Sequence, residues 1–148
     1  MEFAPFFRRH DDIARYETRA VTLLENNEWE LPAGEYGFVD SYCNDNDCDC
    51  RKVMIAVVGG NGSRIEATIG YGWESAAFYT TWFDGDEKLA KAMAGSHLEI
   101  GAQQSSNAQT WLTFWNNLML KDEEYLARIR RHYRLFKKPI LEQVRRHK

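Results

Sequence analysis

The stretch Val53-Met54-Ile55-Ala56-Val57-Val58-Gly59-Gly60-Asn61-Gly62-Ser63-Arg64-Ile65-Glu66-Ala67-Thr68-Ile69-Gly70 decides the fold. Its first six residues are unbroken apolar and largely β-branched, the composition of a strand buried on a sheet. Gly59 to Gly62 supplies the left-handed conformations that a tight connection needs. Arg64 to Gly70 is the return strand, with Ile65, Ala67 and Ile69 on one side. Two adjacent antiparallel strands are therefore expected at the centre of the chain.

Working outward, Glu35 to Tyr42 places Tyr36, Phe38 and Tyr42 in the same period-2 phase, a third strand. Arg19 to Leu24 reads as a strand before it, with turns at Glu25–Glu28 and at Leu31-Pro32-Ala33-Gly34. Phe78 to Phe83, aromatic and β-branched, reads as one strand more. Residues 1–15 show no clear period and are expected to form a short helix or arm. Beyond residue 84 the period lengthens. A short helix is expected over Asp86–Ala94, capped by Asp84 or Asp86 and stopped by Gly95. A second runs from Ser105 or Ser106 to about Leu120. A third starts at Asp122, with Tyr125, Leu126, Ile129, His132, Tyr133 and Phe136 as its apolar stripe and Pro139 as its end or kink. Strands first and helices after give an α+β fold, an N-terminal antiparallel meander of four to five strands packed on C-terminal helices. One domain is expected over residues 1–148, strand-rich over 16–84 and helical over 85–148.

The chain has three cysteines, all in Tyr42-Cys43-Asn44-Asp45-Asn46-Asp47-Cys48-Asp49-Cys50-Arg51. Three thiols at C-x4-C-x-C spacing supply most of a tetrahedral zinc site, since zinc takes four N or S donors. His132 is the candidate fourth ligand, because a histidine in an apolar helical stripe faces inward and needs partners for its ring nitrogens. A core histidine bonded to the backbone is the alternative, and Asp47 or Asp49 could serve instead. His10 lies in a charged arm, His97 in an expected loop and His147 in a basic tail. The acidic neighbours make the cysteines poor hydrophobic filler and poor nucleophiles, because negative charge raises a thiol pKa.

Other motifs fail on their own terms. Asp45-x-Asp47-x-Asp49 starts like an EF-hand loop, but Cys50 and Ala56 stand where glycine and glutamate are required. His97-Leu98-Glu99 matches the H-x-E of zinc deaminases, yet every cysteine precedes it. Gly59-Gly60-Asn61-Gly62-Ser63 lacks the ending of a P-loop.

Charge is unevenly placed. Residues 121–148 hold ten basic and four acidic residues, a net +6, while the other 120 hold nine basic and eighteen acidic, a net −9. Arg128, Arg131, Arg134 and Lys138 recur at roughly helical spacing, a candidate surface for a protein or nucleic-acid partner. A sequence pI of 5.8 favours an ordinary solvated face. An odd number of cysteines, no signal-peptide pattern and no membrane-length apolar run point to a cytoplasmic protein without membrane contact.

The segment from Leu31-Pro32 through Gly34-Glu35-Tyr36-Gly37-Phe38 to Tyr42-Cys43-x4-Cys48-Asp49-Cys50-Arg51 resembles part of a group of poorly characterised bacterial proteins. Asp122-x-x-Tyr125 and His132-Tyr133-x-x-Phe136-Lys137 are similar to the helical part of the same proteins. The likeness spans about residues 30–140 and implies metal binding by Cys43, Cys48 and Cys50, with no established activity. Relatives often carry a C-terminal SEC-C motif, a cysteine-rich zinc hook, which this chain lacks after Cys50. The expected function is a small interaction module with a structural zinc, more in keeping with binding than with catalysis. The alternatives are a hydrolase-type enzyme with an open zinc site and a metal-free structural or interaction protein.

Overall fold

The computed structural model describes residues 2–45 and 47–146, with side chains as far as Lys138. The central hairpin is β4 (Lys52–Gly59) and β5 (Arg64–Gly72), and β3 (Gly34–Cys43) pairs with β4 on the other side. β3 is ten residues long, so two shorter strands share its outer edge. β2 (Arg19–Leu23) lies opposite Gly34–Phe38, and β1 (Phe3–Pro5) lies opposite Ser41–Cys43. β6 (Gly95–Leu98) completes the sheet beside β5, and every pairing is antiparallel. The α+β arrangement is as the sequence implies.

The two faces of the sheet have different covers. On one, Tyr36, Phe38, Tyr42, Val53, Ile55, Val57, Ala67 and Ile69 pack against Trp111, Phe114 and Trp115 of α4 (Ala108–Asn117) and Ile129, Tyr133 and Phe136 of α5 (Glu123–Arg146). Large aromatics dominate this core and fix α5 across the end of the sheet. On the other face, the short helices α2 (Ala76–Trp82) and α3 (Glu87–Met93) cover only the end near Cys43 and Cys50. They lie flat there because position 72 is glycine: a Cβ on Gly72 would run into the Met93 carbonyl and sit 2.8 Å from the Tyr79 hydroxyl.

Two expectations about these segments fail. Phe78 to Phe83 is not a strand, because Ser75 accepts from the Phe78 amide and caps α2. Burial of Tyr79 beside the cysteines then outweighs the β-propensity of the run. The segment around His97 is not a loop. Gly95, at φ +71°, stops α3 and starts β6, whose four residues are too short to show a period. The N-terminal segment holds the short helix expected there, α1 (Asp11–Glu17), with β1 ahead of it.

α5 also continues past Pro139 to Arg146. A proline cannot donate to the carbonyl four residues back, here Leu135. The arm supplies a replacement: the His10 ring meets the Leu135 carbonyl at 3.2 Å, and beside it Arg9 Nη1 donates to the Phe136 carbonyl at 2.9 Å. Asp122, where the sequence places the start of this helix, accepts from the Tyr125 amide and caps it. Among the described residues no helix is long and apolar enough to cross a membrane.

Candidate metal centre and adjoining cleft

β3 ends on Cys43, and Cys50 stands two residues before β4 begins. Between them the chain turns on itself: the Asp47 amide donates to Asp45 Oδ1, and the Cys48 amide to the Asp45 carbonyl. This turn gathers the three sulfurs, which all lie within 4.8 Å of one another. None is in a disulfide and all are buried. Their acidic neighbours in sequence point the other way, since Asp45, Asp47 and Asp49 are exposed. The thiols meet Tyr79, Ala90 and Met93 of α2 and α3 instead.

Electrostatics around the sulfurs come from burial, from each other and from three donors. Burial pushes the Cys43 thiol up. Cys48 is raised because it donates to Cys50, and burial adds to this. The same bond lowers Cys50. Backbone amides point at two of the sulfurs: the Asp45 N–H donates to Cys43 Sγ at 3.4 Å, and the Lys52 N–H donates to Cys50. Such bonds favour the thiolate. The third donor of positive potential is Lys137, buried on α5, which favours the charged form of all three cysteines. Its ammonium also donates to the Asp45 carbonyl at 3.2 Å and so ties the cysteine loop to α5.

Arg51 locks the exit of the loop. It is left-handed, at φ +49°, a conformation costing a non-glycine residue about 1–2 kcal/mol. Its carbonyl accepts from the Tyr79 hydroxyl and the Trp73 amide, and its amide donates to the Tyr133 hydroxyl. Its guanidinium pairs with Asp49 and Glu74 and lies 4.7 Å from the centre of the Phe78 ring. α2, α5 and the residues just after β5 therefore hold one residue in a conformation it would not choose alone.

The structure does not bring His132 to the thiols. Its Nδ1 is 2.7 Å from Asp40 Oδ2 and its Nε2 is 2.7 Å from Glu17 Oε1, so both nitrogens are committed to carboxylates. The ring stacks on Phe6 at 3.9 Å with the planes parallel. His132 is thus a core histidine, as its position in the stripe allows, with side-chain rather than backbone partners. His97 pairs with Glu99, and His147 lies outside the described residues. The Asp49 carboxylate is taken by Arg51 and Tyr133. Among the described residues the cysteines stand as a group of three.

The expected basic stripe is split. Arg128 donates to the Glu17 carbonyl and Arg131 to the Glu17 carboxylate, holding α5 against α1. Arg134 and Lys138 instead line a cleft of 660 Å³, with Arg130 and Lys137 beside them on α5. Cys48, Asp49, Arg51, Trp73 and Glu74 form the opposite wall, with Tyr133 between. Lys137 and Tyr133 are the site residues that the sequence reading passed over. Their signal was present, because they sit four apart on the buried side of the last helix. Trp73 and Arg130 carried no signal of their own.

Comparison with protein-family models, with curated proteins and with solved structures finds no match. The chemistry open to the chain is set by these side chains. Three buried sulfurs, two of them accepting from backbone amides and all favoured as thiolates by the Lys137 ammonium, can hold a thiophilic metal ion.

Proposed function

We propose that Cys43, Cys48 and Cys50 bind zinc, and that the metal holds together a small interaction module. The carrying observation is the convergence of three sulfurs within 4.8 Å in an apolar pocket. Zinc–sulfur bonds of about 2.3 Å set tetrahedral sulfur–sulfur edges of about 3.8 Å, which this cluster reaches with sub-ångström side-chain adjustment. Charge also favours the assignment. Three thiolates and a divalent ion leave one negative charge in a buried place, and the Lys137 ammonium offsets it. The fourth donor in this reading is solvent or a bound ligand. With the loop pinned between α5 and the α2–α3 pair, the surface it presents for contact is the basic wall of α5.

Metal analysis of protein purified without chelator tests this. About one equivalent of zinc is expected, falling in Cys43→Ser, Cys48→Ser and Cys50→Ser variants. Less than a tenth of an equivalent in unoxidised protein would refute it.

A catalytic reading has one observation in its favour: Cys48 lines the cleft, so an open position on the metal would face a space that admits small molecules. Three thiolates donate strongly and weaken the ion as a Lewis acid, which is why the binding role is preferred. Cobalt substitution tests the exchangeable fourth position that both readings share: a tetrahedral spectrum that shifts on adding anions is expected, and one indifferent to them would refute it. Ester hydrolysis by the zinc-loaded protein, lost in Cys48→Ser, would support the catalytic role over binding.

A further inference from the structure

We infer that the cleft beside the cysteine loop binds a phosphorylated small molecule carrying a planar ring system, a ligand of nucleotide class. This deepens the interaction-module reading by naming what the basic wall contacts. It depends on the metal only through the order of the loop that forms the opposite wall.

Arg130, Arg134 and Lys138 recur every four residues along α5, a straight row about 12 Å long at the helical rise of about 1.5 Å per residue. Among the described residues, Arg130 and Arg134 have no carboxylate within ion-pairing distance, in contrast to Arg131 with Glu17. The two acids in the cleft are already engaged, Asp49 with Arg51 and Tyr133, Glu74 with Arg51. The helical wall is therefore left with uncompensated positive charge, and arginine pairs bidentately with phosphate oxygens.

The second half of the ligand follows from the aromatic residues. Trp73 meets Tyr133 edge to face, at 5.0 Å between ring centres and 86° between planes. Both rings line the cleft, and the half-buried indole offers a flat surface on which a planar group can stack. A volume of 660 Å³ lies in the range of small-molecule sites, roughly 300–1,000 Å³. A nucleic-acid strand is the weaker candidate. Arg128 and Arg131, which would extend the basic track along α5, are turned to Glu17. The positive surface is a concave patch instead of a continuous track.

The test is titration calorimetry of the full chain with ATP, AMP, adenosine, inorganic phosphate and a single-stranded oligonucleotide, with zinc measured in the same preparation. Nucleotides are expected to bind more tightly than either adenosine or phosphate. Arg130→Glu and Arg134→Glu should each weaken them by roughly tenfold or more, with thermal melts unchanged. Trp73→Leu should weaken AMP while leaving phosphate affinity unaltered, and Lys91→Glu on α3 should change nothing. Failure of every nucleotide to bind, indifference to the arginine reversals, or binding of the oligonucleotide alone would overturn the inference. Zinc present without nucleotide binding defeats this inference only. Nucleotide binding without zinc defeats only the metal assignment.

Discussion

The pairing of His132 with Asp40 gives a prediction that can be worked through in numbers. Both groups are buried, at 2% and 5% exposure, and they meet at 2.7 Å. Asp40 Oδ2 also accepts from the Tyr42 hydroxyl, and His132 Nε2 reaches Glu17. With a carboxylate on each side, the imidazole keeps both contacts as hydrogen bonds when both its nitrogens carry protons. Asp40→Asn keeps the shape but removes the carboxylate, leaving one ring nitrogen of His132 facing a neutral amide. Breaking a buried pair from one side costs about 3–5 kcal/mol. Because Glu17 and Tyr42 remain, about 3 kcal/mol is expected, lowering Tm by roughly 6–12 °C for a chain of this size. His132→Gln should cost a similar amount. The double variant should cost only about 4 kcal/mol, because the second change removes a group already unpaired, which gives a coupling of about 2 kcal/mol. Urea denaturation at neutral pH of the four proteins provides the cycle. A coupling below about 0.5 kcal/mol would show that the contact does not stabilise the fold. Zinc content should be unaffected by His132→Gln in the folded protein, and its loss would refute the separation of His132 from the thiols.

Other expectations follow from single contacts. Gly72→Ala drives a Cβ into the Met93 carbonyl and the Tyr79 hydroxyl, so it should cost about 1–3 kcal/mol by chemical denaturation and loosen the α2–α3 pair. At Arg51, glycine should be more stable than alanine by about 1 kcal/mol, because both lose the guanidinium contacts and only glycine relieves the left-handed backbone. Glu99 is held down to about 2 by its hydrogen bond from His97 and by Lys52. Its folded value lies below its unfolded one, so its contribution, up to about 3 kcal/mol, is full above about pH 4.5 and is lost as pH falls toward 2. Acid titration of stability should flatten over that window in Glu99→Gln, and an unchanged slope would refute the assignment.

The sequence carries much of the sheet and little of what surrounds the sulfurs. The hairpin over 53–70 was legible because apolar runs and glycine turns are local signals. The cysteine cluster was legible for the same reason. The surroundings of the thiols were misread, because neighbours in sequence were taken for neighbours in space. In a turn, successive side chains can point opposite ways, and here the aspartates face water while the sulfurs face Tyr79, Met93 and Lys137. Tyr79 lies in a segment whose aromatic composition suits a strand, and Ser75 makes it a helix instead. Lys137 could be placed on the buried side of α5 but not against its target, because that depends on how α5 crosses the end of the sheet.

His132 shows the same division between what is local and what is not. Its burial was readable from the apolar stripe, while its partners lie 92 and 115 residues away in sequence. A clue to one of them was available. In β3, Tyr36, Phe38 and Tyr42 share an apolar phase, and the position missing from that series is Asp40. An acid in the buried phase of a strand and a histidine in the buried stripe of a helix each need a partner, because a lone buried charge is too costly to keep. When a chain has one such defect in each of two layers that must pack together, the economical assignment pairs them before either is given to a metal. On that reasoning the three cysteines lose their histidine, and the fourth position of the proposed zinc site is left to solvent or to a ligand entering from the cleft.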